Sequence, residues 1–325
     1  MIQTQKGLQR GLSHRTKLII LVILAIASVA LYLFYQLGSN WDYVLPRRGY
    51  KVGAMVIAGS AIAFSTVIFQ TVTHNRILTP SIMGLDSLYL LVQTILVFFL
   101  GGKSFAMMGS VPLFFISVGV LVFFSLILFR GVLGKEGRSV YFLLLVGIIF
   151  GALFQSLSTF MQVLIDPNEF LIVQDKMFAS FNNVQVKLIW WALGILGVVF
   201  LAYLPMIKYL DVLTLGRDQS LNLGVPYQKI VMISLIVVAI FTAVSTALIG
   251  PITFLGLLVA NLGYEVLKTY RHTILLMGTV LISIIALAFG QLLVERVFSF
   301  STTLSVIINF IGGIYFMYLL LRGSR

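Results

Sequence analysis

Acid–base, nucleophilic or metal chemistry in this chain would have to come from three histidines and ten carboxylates, because it has no cysteine. His14, His74 and His272 stand far apart and lack the short spacing that places two imidazoles on one metal ion. The absence of thiols excludes a disulfide framework and a thiolate metal site. The carboxylates fall in polar stretches or at the edges of apolar runs, Asp86 opening one run and Glu265 near the end of another. The apolar interior is therefore expected to hold essentially no acid able to relay protons. Gly101-Gly102-Lys103-Ser104 ends like a phosphate-binding loop, but Val97 stands where the leading glycine belongs, so the match is read as chance. No metal site, catalytic centre or nucleotide site is predicted for this chain. If it moves a substrate uphill, the energy enters through another subunit.

One polar stretch remains unexplained by this inventory. Leu215–Pro226, LGRDQSLNLGVP, lies between two strongly apolar runs and is bracketed by Leu-Gly pairs at Leu215-Gly216 and Leu223-Gly224. Arg217–Leu223 can form two helical turns, with Asp218 in the first turn, where the helix dipole favours an anion. Gly224 fits as the glycine just past the helix and Pro226 as the stop beyond it. Leu221 projects with Arg217 at i,i+4. Such a short helix between rigid turns suits docking into a partner's groove; equally, it suits lying on a membrane surface.

The elements that position these residues are membrane spans. Of 325 residues 60% are hydrophobic and 10% charged, whereas soluble domains are about a quarter charged. Mean hydropathy is +1.07, which leaves an integral membrane protein as the fitting class. A net charge of +12 would point to nucleic acid in a soluble protein. Here the cations sit in short loops, so they are read as orienting the chain among lipids, with no nucleic-acid partner. The first apolar run is too long for a signal peptide and lacks a clear cleavage site. Runs free of charge lie at 18–41, 52–75, 87–102, 104–129, 139–165, 188–207, 273–294 and 297–320. A further run, Ile230–Tyr264, is too long for one span, and Gly250-Pro251 cuts it into a full helix and a short one over about Ile252–Leu267.

If the short piece crosses, there are ten spans. Only Arg47, Arg48, Lys51, Lys103, Lys176, Lys187 and Arg296, seven of the 22 cations, then face away from the termini. If it does not cross, ten do. The positive-inside rule favours crossing, with both termini and the 211–227 segment cytoplasmic. The chain is thus expected to be one domain, 1–325, with a short cytoplasmic tail at 1–17. Small residues in Gly53–Ala61 and Val146–Ser156 are spaced for close helix packing. The stretches AFST (Ala63–Thr66) and AVST (Ala243–Thr246) each precede a Pro/Gly-broken segment, a faint sign of two related halves.

The segment LGRDQSLNLG resembles the coupling loop of the FecCD-like permeases, the iron-siderophore, haem and cobalamin family of type II ABC importers. Four further stretches agree in the family's order. Leu45–Arg48 (LPRR) is similar to its Leu-Pro-Arg before the second span. Gln70–Gly84 matches at Gln70, Asn75, Pro80 and Gly84. Gly250–Leu262 matches at Gly250, Pro251, Ile252, Phe254, Gly256 and Leu257, and Ile311–Arg322 resembles the C-terminal Gly-Gly motif. The chain departs at His74 and Arg76, where the family usually has Arg and Pro, at Ala260-Asn261, which replaces Pro-His, and at Ile314, which replaces a proline.

The resemblance implies an all-α membrane fold of about ten transmembrane helices, like the cobalamin permeases. It implies a prokaryotic cytoplasmic membrane and a permease for a ferric siderophore. Partners would be a cytoplasmic ATPase dimer carrying ATP and Mg, an extracytoplasmic binding protein, and a second permease, expected to be a different chain. Coupling to the ATPase would fall to Leu215, Gly216, Arg217, Asp218, Leu221, Leu223 and Gly224. Arg47, Arg48 and Arg296 would meet acidic residues of the binding protein, or anchor on lipid headgroups. Ser65, Thr66, Gln70, Gln155, Ser156, Ser158 and Thr159 offer a weakly polar lining for a translocation path, with Ser65, Gln70, Gln155 and Ser156 the leading candidates. The alternatives are an ion-coupled secondary carrier, which leaves LGRDQSLNLGVP unexplained, and a permease for haem or cobalamin.

Overall fold

A computed structural model describes residues 13–36, 40–133, 140–182, 184–299 and 302–323. Most of the expected N-terminal tail, and the cations Lys135, Arg138 and Arg325, lie outside the described residues. The helices are α1 (His14–Phe34), α2 (Trp41–Thr73), α3 (Leu85–Met107), α4 (Ser110–Leu133), α5 (Val140–Leu164), α6 (Pro167–Met177) and α7 (Val186–Tyr203). They continue with α8 (Ile207–Leu213), α9 (Arg217–Asn222), α10 (Tyr227–Ile249), α11 (Leu255–Leu267), α12 (His272–Arg296) and α13 (Leu304–Gly323). Among the described residues nine segments are long and apolar enough to cross a membrane, with α7 and α8 joined into one, and α11 is a shorter apolar helix. The chain is an all-α, multi-pass membrane protein.

Charges proved poor fence posts for α2. The helix runs from Trp41 through Pro46, Arg47, Arg48 and Lys51, so LPRR lies inside it rather than before it. At about 1.5 Å per residue, its 33 residues exceed the ~30 Å hydrocarbon layer, and the basic stretch falls near one end of the helix. There Arg48 Nη1 donates to the carbonyls of Tyr32 (3.1 Å), Leu33 (2.9 Å) and Tyr35 (2.8 Å), the open end of α1. A guanidinium that satisfies a neighbouring helix terminus has no reason to end its own helix.

Lys103 likewise lies inside α3, which bends at Gly101. In the GGKS stretch the Gly102 N–H donates to Glu169 Oε1 of α6 at 2.8 Å. A carboxylate of the same chain occupies the backbone that a phosphate would need.

The core forms around α2 and α10, the most buried spans, with α7, α11 and α12 against them. Phe64 packs edge-on to Phe200 and Tyr203 and tilted against Phe241, joining α2, α7 and α10. The small-residue stretches serve this packing: Gly59 lies against Ser283 and Leu287 of α12, and Gly147 against Met83. Gly250-Pro251 breaks the long apolar run as expected, and α11 begins at Leu255 after a five-residue extended connection.

After α2 ends at His74 the chain turns back, forms a 3-10 turn over Pro80–Met83, and starts α3. Gly84 makes this possible. Its φ is +80°, and a Cβ there would stand 2.7 Å from the Gly151 Cα of α5. That approach seats the start of α3 against the middle of α5 rather than at its end.

Candidate functional site

The polar segment at 215–226 folds as the spacing predicted. Gly216 (φ +96°) turns the chain into α9, which carries Asp218 in its first turn. At the far end the Val225 N–H donates to the Ser220 carbonyl (3.0 Å) and the Gly224 N–H to the Leu221 carbonyl (2.9 Å). With Gly224 at φ +77°, this is the paired 6→1 and 5→2 bonding of a glycine-terminated helix. Ser220, fully buried, ties α9 inward: its hydroxyl lies 2.7 Å from the Gly216 carbonyl and 3.0 Å from the Val212 carbonyl of α8. The leucines point the other way. Leu215, Leu221 and Leu223 are 51%, 49% and 62% exposed, and Arg217 and Asp218 are exposed beside them. The result is a rigid knob with an apolar surface and two opposite charges.

Two histidines hold the arm that carries this knob. His272, first residue of α12, donates from its backbone N–H (2.8 Å) and from Nδ1 (2.6 Å) to Asp211 Oδ1 of α8. Its Nε2 meets the Thr71 hydroxyl of α2 at 2.8 Å. His74, just past α2, hydrogen-bonds through Nε2 to the Leu213 carbonyl at the end of α8 (2.8 Å). Neither contact leaves a local sequence signal, since the partners lie 61, 201 and 139 residues apart.

A polar cavity of about 240 Å³ lies alongside, lined by Gln70, His74, Arg76, Tyr264, Tyr270 and His272 among others. Two of the departures from the family pattern meet at its edge. Asn261 Nδ2 and Gln70 Nε2 both donate to the Arg76 carbonyl, at 3.1 and 2.6 Å. The Arg76 guanidinium sits over the Tyr264 ring, 4.4 Å from its centroid.

The candidate path residues do not converge. Gln70 is 2% exposed and is committed to Arg76 through its amide nitrogen. Ser65, also buried, lines a narrow cleft with Thr66, Asp86, Thr242, Ser245 and Thr246. Gln155, Ser156 and Thr159 are exposed on α5, while Ser158 is buried and bonded to Thr94 (2.9 Å).

The Ser65 cleft corrects one expectation, because the interior does contain an acid. Asp86 Oδ2 accepts from the Thr253 hydroxyl at 3.1 Å, joining the two broken segments that follow α2 and α10. Its place at the edge of an uncharged run concealed this, since the 3-10 turn carries the start of α3 inward. Ser65 and Thr66 of AFST and Ser245 and Thr246 of AVST both line this cleft.

At the opposite end of α2, a cavity of about 750 Å³ is lined by Arg47, Arg48, Lys51, Asn182, Glu295 and Arg296, with Tyr43 and Tyr50. Its cations differ in freedom. Arg48 is 7% exposed and committed to α1. Arg296 is exposed but donates to the Tyr35 (3.3 Å) and Gln36 (3.1 Å) carbonyls. Lys51 pairs with Glu295 at 2.8 Å, and Glu295 also accepts from Tyr32. Arg47 is exposed and stacks over Tyr43 at 4.4 Å. Among the described residues no group of three or more His, Asp or Glu is placed to hold a metal.

Comparison with known proteins gives consistent matches along nearly the whole chain. The FecCD transport family matches residues 17–322. The petrobactin import system permease protein YclO of Bacillus subtilis (strain 168) is 58% identical over 312 residues, 96% of this chain and 99% of that protein. The petrobactin import system permease protein FatC of Bacillus anthracis is 39% identical, covering 86% of this chain and 79% of that one. Among solved structures, a metal-chelate type ABC transporter in an inward-facing conformation superposes with a TM-score of 0.79, at 20% identity, over 95% of this chain and 99% of that one. That likeness is one of fold.

Proposed function

Because this chain belongs to the FecCD transport family, we propose that it is the membrane permease subunit of an ATP-binding-cassette importer that brings a ferric siderophore across a prokaryotic cytoplasmic membrane. On this reading both termini and α9 lie on the cytoplasmic side, the arrangement that the distribution of lysine and arginine favours. ATP and Mg are bound and ATP hydrolysed on a separate ATPase dimer; this chain supplies no catalytic group and binds no cofactor. The observation that carries the reading is α9: a short helix closed by the Gly224 turn, with exposed Leu221 on it and exposed Leu215 and Leu223 flanking it, held at one end of the bundle by buried Ser220. Exposed leucines on a rigid knob are suited to a groove on a soluble partner, and here that groove belongs to the ATPase. Leu215, Leu221 and Leu223 make the apolar contact, Arg217 and Asp218 set the register, and Gly216 and Gly224 fix the turns.

Arg47 and Arg296, on the outer side, present charge to an acidic extracytoplasmic binding protein, while Arg48 positions their end of α2 against α1. A second permease covers α5. Its exposed Gln155 and Ser156 stand within an apolar span, where lipid offers polar groups no hydrogen bonds, whereas the Thr159 hydroxyl already donates to the Gln155 carbonyl (2.9 Å). A partner across a path satisfies that condition. The relatives named for petrobactin import support a cargo among ferric siderophores of that class, and the partner permease is taken to be a different chain.

The test is uptake of labelled ferric siderophores by a strain lacking this gene. Loss of ferric petrobactin uptake, restored by the gene and not by a Leu221→Asp variant, is expected. Undiminished uptake of every ferric siderophore in the deletion strain would contradict the assignment.

A further inference from the structure

The α8–α9 arm is covalently continuous with α7 and α10 alone. Beside the apolar packing of buried Leu210 and Leu213, α8 meets α2 and α12, central to the core, through specific polar contacts. Asp211 on α8 takes two hydrogen bonds from one residue of α12, the backbone N–H and Nδ1 of His272. The far nitrogen of the same ring lies 2.8 Å from the Thr71 hydroxyl on α2, whose one proton is shared between that nitrogen and the Val67 carbonyl. From the other direction His74, at the end of α2, grips the carbonyl of Leu213, the last residue of α8. Buried His272 and Thr71 therefore form one hydrogen-bonded line from the arm through α12 to α2, with a second tie beside it.

We propose that Asp211, His272, Thr71 and His74 form a positioning clamp that converts displacement of the coupling arm into movement of α2 and α12. This deepens the assignment of α9 as the ATPase contact and rests on it. The physical argument is directional. Apolar contacts between α8 and the core let helices slide past one another with little preference for register. An imidazole bonded at both nitrogens fixes its neighbours in distance and angle, because hydrogen bonds weaken steeply outside narrow geometry. A bidentate grip on the first residue of α12 also holds that helix at its N-terminal N–H groups, which lack partners within the helix. A push on α9 relayed through Ser220 to α8 then reaches α2 and α12 as a displacement of defined direction. With the clamp cut, the same push is taken up by α8 sliding against the core.

The experiment uses the full importer, permeases with ATPase and binding protein, in proteoliposomes loaded with ferric siderophore outside and ATP inside. Uptake per ATP hydrolysed is read beside recovery of the ATPase with the permease. His272→Ala is expected to lower uptake per ATP by about tenfold, within the range of coupling energies carried by such networks, with ATPase recovery unchanged. Thr71→Val should cause a smaller loss in the same ratio. Asp211→Asn, which keeps an oxygen acceptor for both His272 donors, should stay within about threefold of the unaltered importer. An Asp211→Ala/His272→Ala double variant should lose no more than the worse single one, because the pair acts as a unit.

An unchanged ratio in His272→Ala would overturn the clamp, as would additive losses in the double variant. Should His272→Ala not be recoverable, Thr71→Val and Asp211→Asn decide alone: equal ratios for all three importers would overturn it. Failure of the underlying assignment looks different. In that case Leu221→Asp leaves ATPase recovery intact.

Discussion

At the scale of single residues, the structure separates cations that sequence could only group together. Arg47, Arg48 and Arg296 were indistinguishable as basic residues of one outer cluster, because nothing in their spacing reveals the neighbouring helix terminus that uses them. Arg48 satisfies three carbonyls at the end of α1, so Arg48→Ala leaves those of Tyr32 and Leu33 bare, while Tyr35 keeps Arg296. The expected cost is about 2–3 kcal/mol, seen as a lowered melting temperature of the detergent-solubilised chain. Arg47→Glu should leave that temperature unchanged and depress uptake at limiting binding-protein concentration. The opposite ranking would move docking to Arg48. Asp86 was legible as a residue and illegible as an interior acid, since its depth depends on the turn made by Pro80–Gly84. Asp86→Asn retains an acceptor for Thr253 and should be tolerated. Asp86→Leu strands the Thr253 hydroxyl and should destabilise by about 1–3 kcal/mol in the same melting experiment.

At the scale of elements, hydrophobic runs located the spans, and the two glycine-proline signals located their ends. Gly250-Pro251 broke the long apolar run, and Gly224 capped α9 in the predicted left-handed conformation. What misled was the use of charge as a boundary. Lys51 and Lys103 lie inside helices because backbone bonding continues wherever a long side chain can find Glu295 or reach past the membrane edge. Helix α9 was legible because its signals are local: two glycines, a first-turn acid and leucines at set spacing. The clamp behind it was not, since its partners meet only in the folded bundle. For α9 the cap makes a specific prediction. Gly224→Ala places a side chain at φ +77°, costs about 1 kcal/mol, and should lower recovery of the ATPase partner without removing the chain from the membrane. Full recovery would show that the turn geometry is not required.

At the scale of the whole molecule, the bundle buries α2 and α10 and leaves α1, α5 and α13 largely uncovered. For α1 and α13 lipid suffices. The polar residues of α5 require more, and a cysteine introduced at Gln155 in this cysteine-free chain should cross-link to the second permease in intact membranes. Labelling of that cysteine by a lipid-phase reagent instead, with no cross-link, would place α5 against lipid. Fold class and family were legible from five motifs in order. The way the bundle is driven was only implied, because the proposed function assigns the power stroke to another subunit. Proteoliposomes holding this permease, its partner permease, the ATPase and the binding protein measure it most directly. Ferric siderophore should accumulate only with ATP on the ATPase side, and Leu221→Asp should abolish accumulation together with ATPase recovery. Accumulation without ATP or without the ATPase, or full transport by the Leu221→Asp importer, would contradict the account.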